Sequence, residues 1–208
     1  SIGPTGSIGP TGSIGPTGLQ GLQGIVPTVG ALIPGRYYCI VGVPLANSFG
    51  TRSGAADQLT AAPVVLTRTI TPSAIGASVA TPVASALFRI ILYNSDADDW
   101  PLNIIWDSGI LTGSASGFQS ATGNIPTLTG GVVYWSAVHH SSNCTLRSIG
   151  VGSAISIGGV GPTAFSSFVG SAVRQNGISF AGGAPNPWGF DPTHIVGNTA
   201  PDAILALL

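Results

Sequence analysis

The chain has 208 residues, of which 44% are hydrophobic and only 6% charged, and its formal net charge is -1. Disorder couples low hydrophobicity to high charge, and this composition reverses both, so a disordered chain is excluded. There is no basic field to hold nucleic acid or anionic lipid, and the apolar runs are broken by Gly, Pro and polar residues well short of membrane-spanning length, so neither nucleic-acid binding nor membrane insertion is expected.

All six basic residues are arginine and all seven acidic residues aspartate. Lys and Glu are good helix formers, and without them amphipathic helices lose their usual solvent face. The 31 glycines and 16 prolines, set among Ser, Thr, Val and Ile, favour short strands and many turns. Such surfaces, covered by small polar side chains, suit extracellular particles.

Glycine stands at positions 3, 6, 9, 12, 15, 18, 21 and 24 without interruption. In a collagen-like triple helix every third residue faces an axis too crowded for a side chain. Gly3, Gly6, Gly9, Gly12, Gly15, Gly18, Gly21 and Gly24 are therefore the expected axial residues of a shaft spanning 1–24. Pro4, Pro10 and Pro16 each follow a glycine and preset the extended left-handed backbone. At about 3 Å per residue the shaft would extend roughly 70 Å. Three parallel chains leave such a shaft together, so a homotrimer is expected. Residues 25–35 read as a Pro/Gly-rich neck in which Ile25, Val26, Val29, Leu32 and Ile33 pack where three copies converge.

From residue 36 to residue 208 short apolar runs alternate with turn signals, the pattern of an all-β head. The expected strands are Tyr37–Val43, Pro63–Thr69, Ser73–Val79, Leu87–Tyr93, Leu102–Asp107, Phe118–Ala121, Val132–Ala137 and Asn143–Ile149. Weaker candidates lie at Thr163–Phe168 and Gly177–Phe180. The apolar Ala203–Leu208 segment is expected to dock on the core or on a trimer contact. The expected fold is an antiparallel, jelly-roll-like β-sandwich preceded by the triple helix.

The runs Arg36-Tyr37-Tyr38, Leu59-Thr60-Ala61-Ala62-Pro63-Val64-Val65, Phe88-Arg89-Ile90-Ile91-Leu92-Tyr93-Asn94, Ile105-Trp106-Asp107-Ser108-Gly109 and Val132-Val133-Tyr134-Trp135-Ser136-Ala137 together resemble β-sandwich modules of bacteriophage tail-fibre and other virion fibre proteins. The resemblance covers roughly residues 36–149. It implies a homotrimer attached to other virion proteins, acting outside the cell in host attachment.

Several residues stand out for chemistry. Arg89 sits on an otherwise apolar strand and requires a carboxylate partner if buried; Asp107, at the end of the following strand, is the candidate. Tyr134 and Trp135 read as large core residues with their polar groups at the margin. The loop Asn94–Trp100 carries Asp96, Asp98 and Asp99, read first as a solvated hairpin and second as oxygen ligands for calcium. His139 and His140 are adjacent on a strand and so face opposite ways. Cys39 and Cys144 leave both a disulfide and two buried thiols open.

No nucleophile elbow or phosphate-binding loop is present. A Glu proton donor for glycoside hydrolysis is also missing, so binding without turnover or cofactor is expected. The Pro-rich segment 182–192 has the strongest site character. Trp188 and Phe190 offer aromatic faces and Asn186 and Asp191 hydrogen bonds, a set suited to sugar rings; the other reading has Trp188 plugging the head or a neighbouring subunit. The functional expectation is a fibre tip that binds a host-surface glycan or protein. Its alternative is a structural collar or head-decoration fibre whose β domain trimerises and registers the shaft.

Overall fold

In the computed structural model the chain divides into two units, Ser1–Ala31 and Leu32–Leu208. The structure describes residues 1–4, 35, 37–39, 49–149, 172–189, 191, 195–196 and 204–207. In the first unit this leaves Ser1–Pro4, all exposed and without regular hydrogen-bonded structure. Gly6, Gly9, Gly12, Gly15, Gly18, Gly21 and Gly24 lie outside the described residues, as do the expected strand at Thr163–Phe168 and the side chain of Cys39.

The second unit is all-β among the described residues. In chain order its strands are β1 Tyr37–Cys39, β2 Phe49–Ser53, β3 Gln58–Val65, β4 Ala74–Thr81, β5 Leu87–Ser95, β6 Pro101–Asp107, β7 Leu111–Thr112, β8 Gly117–Thr122, β9 Val133–His140, β10 Thr145–Ile149, β11 Ala172–Asn176, β12 Ile195–Val196 and β13 Ile204–Leu207. One sheet runs β1-β13-β4-β10-β2, with β8 also on β4; the other runs β12-β11-β3-β9-β5-β6, with β7 also on β5.

The expected jelly-roll-like sandwich does not form: neither sheet closes or curls round on itself. The reason lies at β4. β8 takes one edge, pairing Ala74 to Val79 with Thr122 to Gly117. The other edge is divided end to end between β13, at Ala74–Ala77, and β10, at Val79 and Thr81. The first sheet therefore forks at a central strand instead of continuing round into the second, and the register shift between Thr145 and Leu146 marks the fork.

Period-2 alternation sorts β3, β5 and β9 of the second sheet between two cores. Ala62 and Val64 of β3, Phe88, Ile90 and Leu92 of β5, and Tyr134 and Val138 of β9 join Ile75, Ala77, Val79 and Leu146 of the first sheet. The intervening residues Leu59, Ala61, Ile91, Tyr93, Trp135 and Ala137 form a second core with Val173 and Trp188. These three central strands are thus buried on both faces, which explains why β3 and β9 are almost continuously buried instead of alternating with exposed positions. Pro63 is tolerated inside β3 because β11 pairs only with Gln58–Ala61, so past Ala61 β3 no longer carries that ladder. At one margin Arg52 of β2 reaches across to the Gln58 Oε1 and Thr60 Oγ1 of β3, at 2.7 and 2.8 Å.

Candidate functional site

Two loops meet at one end of the second core. The first is the hairpin between β5 and β6. The Asp96 side chain shapes it: Oδ1 accepts from the backbone N–H groups of both Asp98 and Trp100 at 2.9 Å. Asp96 N–H donates to the Trp100 carbonyl, 2.9 Å, and Asp99 takes a left-handed φ of 65°. Just beyond, Asn94 Oδ1 accepts from Asn103 N–H at 2.7 Å. The hairpin is fixed to the sheet by Trp135, whose indole N–H donates to the Asp99 carbonyl, 2.8 Å, and whose ring stacks on Trp100 with centroids 6.2 Å apart.

The second loop, residues 182–189, lies along the outer edge of β6. Trp188 N–H donates to the Leu102 carbonyl at 2.7 Å, and Asn186 Oδ1 accepts from Ile104 N–H at 3.1 Å. Strand residues two apart direct their backbone groups to the same edge, so the loop satisfies one side of β6 that would otherwise be open to pairing. From inside, Gln175 Nε2 donates to the Trp188 carbonyl at 2.9 Å and Tyr93 Oη to the Pro185 carbonyl at 3.0 Å. Burial, with Asp107 adding to it, pushes the Tyr93 phenol well above its ordinary range, so Tyr93 stays a donor.

The result is a row of rings. Trp100 stacks on Trp135; Trp135 is the cross-strand partner of Tyr93; Tyr93 meets Trp188 edge to face at 5.1 Å. Trp188 is 1% exposed, within the second core, so neither face of its ring is open to solvent. Its indole N–H has no hydrogen-bond partner among the described residues. Trp100 is the half-buried end of the row. Asp98 and Asp99 on the hairpin, Asn103 on β6, Asn186 on the second loop and Asp191 just past it are exposed. Phe190 lies outside the described residues. The stretches 94–104 and 182–191 contain four of the seven aspartates and no Arg or His, so this end is anionic.

Asp96 spends one carboxylate oxygen on two backbone amides, and among the described residues no group of three His, Cys, Asp or Glu side chains is arranged to hold a metal ion. Trp100, within a loop read for its carboxylates, was missed as an aromatic contact; its place next to three aspartates in an exposed hairpin was the available signal.

The other singled-out residues lie elsewhere. Arg89 Nη1 is 3.3 Å from Asp107 Oδ2, with the side chains 21% and 30% exposed, a partly solvated pair and not a buried one. Asp107 Oδ1 also accepts from Gly109 N–H at 2.7 Å, and the Arg89 guanidinium lies 5.4 Å from the Phe180 ring centroid. The Tyr134 hydroxyl accepts from Thr129 N–H, 3.0 Å, at the margin of the first core. His139 and His140 are both buried and on opposite faces of β9: His139 Nε2 bonds the Ile178 carbonyl at 2.8 Å beside Phe180, while His140 Nδ1 is 3.7 Å from Cys144 Sγ. The expected weak strand at Gly177–Phe180 does not form; the segment is irregular, with Ile178 N–H bonded to the Asp57 carbonyl and Phe180 N–H to Asp57 Oδ1. No protein-family model, curated protein or solved structure matches this chain.

Proposed function

We propose that this chain is the noncatalytic receptor-binding end of a collagen-like virion fibre, a trimeric tip whose ligand is a bacterial surface glycan. The observation that carries the reading is the aromatic row ending in half-buried Trp100, with exposed Asp98 on the same hairpin, exposed Asn103 on β6 and exposed Asn186 on the loop bonded to β6. A sugar ring presents an apolar face to an aromatic side chain and hydroxyls to carboxylates and amides. The backing of Trp100 by Trp135, itself bonded to the loop backbone, holds that surface before binding and lowers the ordering cost. An anionic rim favours a neutral or amine-bearing glycan over a phosphorylated or acidic one. Three such sites carried on one collagen-like shaft would bind by avidity, each with modest affinity.

The experiment is capture of intact host bacteria by the full-length trimer, compared with Trp100→Ala and Asn103→Ala variants whose trimer mass is checked. Capture that is lost in the variants while the trimer persists supports the reading. Undiminished capture by both variants sinks the site, and release of reducing ends from host polysaccharide sinks the noncatalytic mechanism. The second reading, a structural collar that trimerises and registers the shaft, is favoured by the burial of Trp188, which turns the most site-like loop of the sequence into packing. Absence of any capture by the unmodified trimer would select it.

A further inference from the structure

Among the described residues the first and last strands in chain order are neighbours. β1 pairs antiparallel with β13 through Tyr37–Leu207, Tyr38–Ala206 and Cys39–Leu205, and among the described residues β13 is its one strand partner. The opposite edge of β13 pairs with Ala74–Ala77 of β4. The Leu207 carbonyl is pinned to the same sheet, accepting from Ser73 N–H at 2.8 Å and from Ser73 Oγ at 3.1 Å. β13 therefore stands between β1 and the rest of the sheet.

We infer that Ile204–Leu207 is a latch: by inserting between β1 and β4 it is the element that holds the leading strand to the β head. The physical case is one of dependence. β1 has three residues, so its few ladder bonds barely offset the entropy of ordering it, and among the described residues its only strand pairing is to β13. β1 can dock only after the chain has been made through Leu207 and β13 has paired with β4.

Native-state hydrogen exchange on the full-length chain, followed amide by amide under increasing denaturant, tests this. In the unmodified chain Tyr37–Cys39 should open with the same denaturant dependence as Ile204–Leu207, and both before Leu87–Ser95 and Val133–His140. Leu205→Pro and Ala206→Pro extend the test. Adjacent strand residues send their N–H groups to opposite edges, so one proline removes a bond toward β1 and the other a bond toward β4. Both should lower protection at Tyr37–Cys39 by at least about tenfold, while β5 and β9 stay within about twofold. The inference is overturned if Tyr37–Cys39 outlasts Ile204–Leu207 in the unmodified chain, or keeps full protection in both proline variants. The first comparison needs no substitution and decides the matter alone if a variant fails to fold.

Discussion

Replacing Trp188 by alanine removes the largest ring that the 182–189 loop inserts into the second core. Truncating a buried Trp costs about 3–5 kcal/mol through lost transfer energy and the cavity left behind, and the edge-to-face contact with Tyr93 adds to the case for the upper end. One term opposes it. The indole N–H is buried with no partner among the described residues, and an unsatisfied buried donor costs about 1–3 kcal/mol that alanine removes. The expected net loss is therefore near the lower bound, about 3 kcal/mol, a change of more than a hundredfold in the unfolding constant. Trp188→Phe separates the two terms: it keeps a ring against Tyr93, deletes the orphan donor, and should cost less than about 1.5 kcal/mol. Urea unfolding followed by far-ultraviolet circular dichroism reads both variants. Hydrogen exchange at Ile104 and Trp188, whose amides bond across the loop–β6 edge, reports whether the loop lifts first. An alanine variant that loses less than about 1 kcal/mol with those amides still protected would refute the assignment of Trp188 to packing.

Four further outcomes are expected. In Gly76→Ala the added Cβ would press on the Gln119 carbonyl and lie 2.7 Å from the Ser120 Cβ; since β8 backbone must move, the variant should lose about 1–3 kcal/mol in urea with exchange accelerated along Gly117–Thr122. Arg89→Gln should change stability by less than about 1 kcal/mol, because the Asp107 pair is partly solvated and such pairs contribute little. Trp100→Ala, at a half-buried position, should cost less stability than Trp188→Ala in the same titration and more in bacterial capture. Burial holds His139 below its ordinary value of 6.5, with Arg89 and His140 acting in the same direction and the Ile178 carbonyl and Asp57 opposing. A His whose folded value is depressed is protonated more readily when unfolded. Its contribution to stability is therefore complete above pH 6.5 and is lost as the pH falls below it. Melting temperatures between about pH 8 and pH 5 should fall less steeply for His139→Gln than for the unmodified chain.

Much of the head was legible because its strands carry β-branched and aromatic residues between turn signals. β5, β6, β8, β9 and β10 fall within a few residues of their expected places. β3 was placed too late because Pro63 reads as a strand start, although it stands in the middle of the strand, where β11 has ceased to pair. β2, Phe-Gly-Thr-Arg-Ser, has a glycine and a charged residue in five and no alternation, and its pairing with β10 is set by distant partners. The jelly-roll expectation came from strand spacing, which carries no information on the event that decides topology here, the division of one edge of β4 between β10 and β13.

The site was legible in composition and not in orientation. The 182–192 segment was singled out because prolines and aromatics together suggest a presented surface, but the same residues suit a segment that must lie flat across a sheet. What decides between them is whether the outer face of that sheet is polar or apolar. Leu59, Ala61, Ile91, Tyr93, Trp135 and Ala137 make it apolar on three adjacent strands, a face that would cost far more to hydrate than a loop costs to order. Trp188 and Phe180 are accordingly drawn inward, to Tyr93 and to His139. That covering also explains the end of the row: once the 182–189 loop has sealed β6, the ring left at the margin is Trp100, held in place by the carboxylate of Asp96 and the indole of Trp135. A ligand at this end would therefore meet an aromatic set by the acidic hairpin and a polar rim set by the Pro-rich loop, and substitutions in either loop should alter binding while leaving the first core, formed between the two sheets, intact.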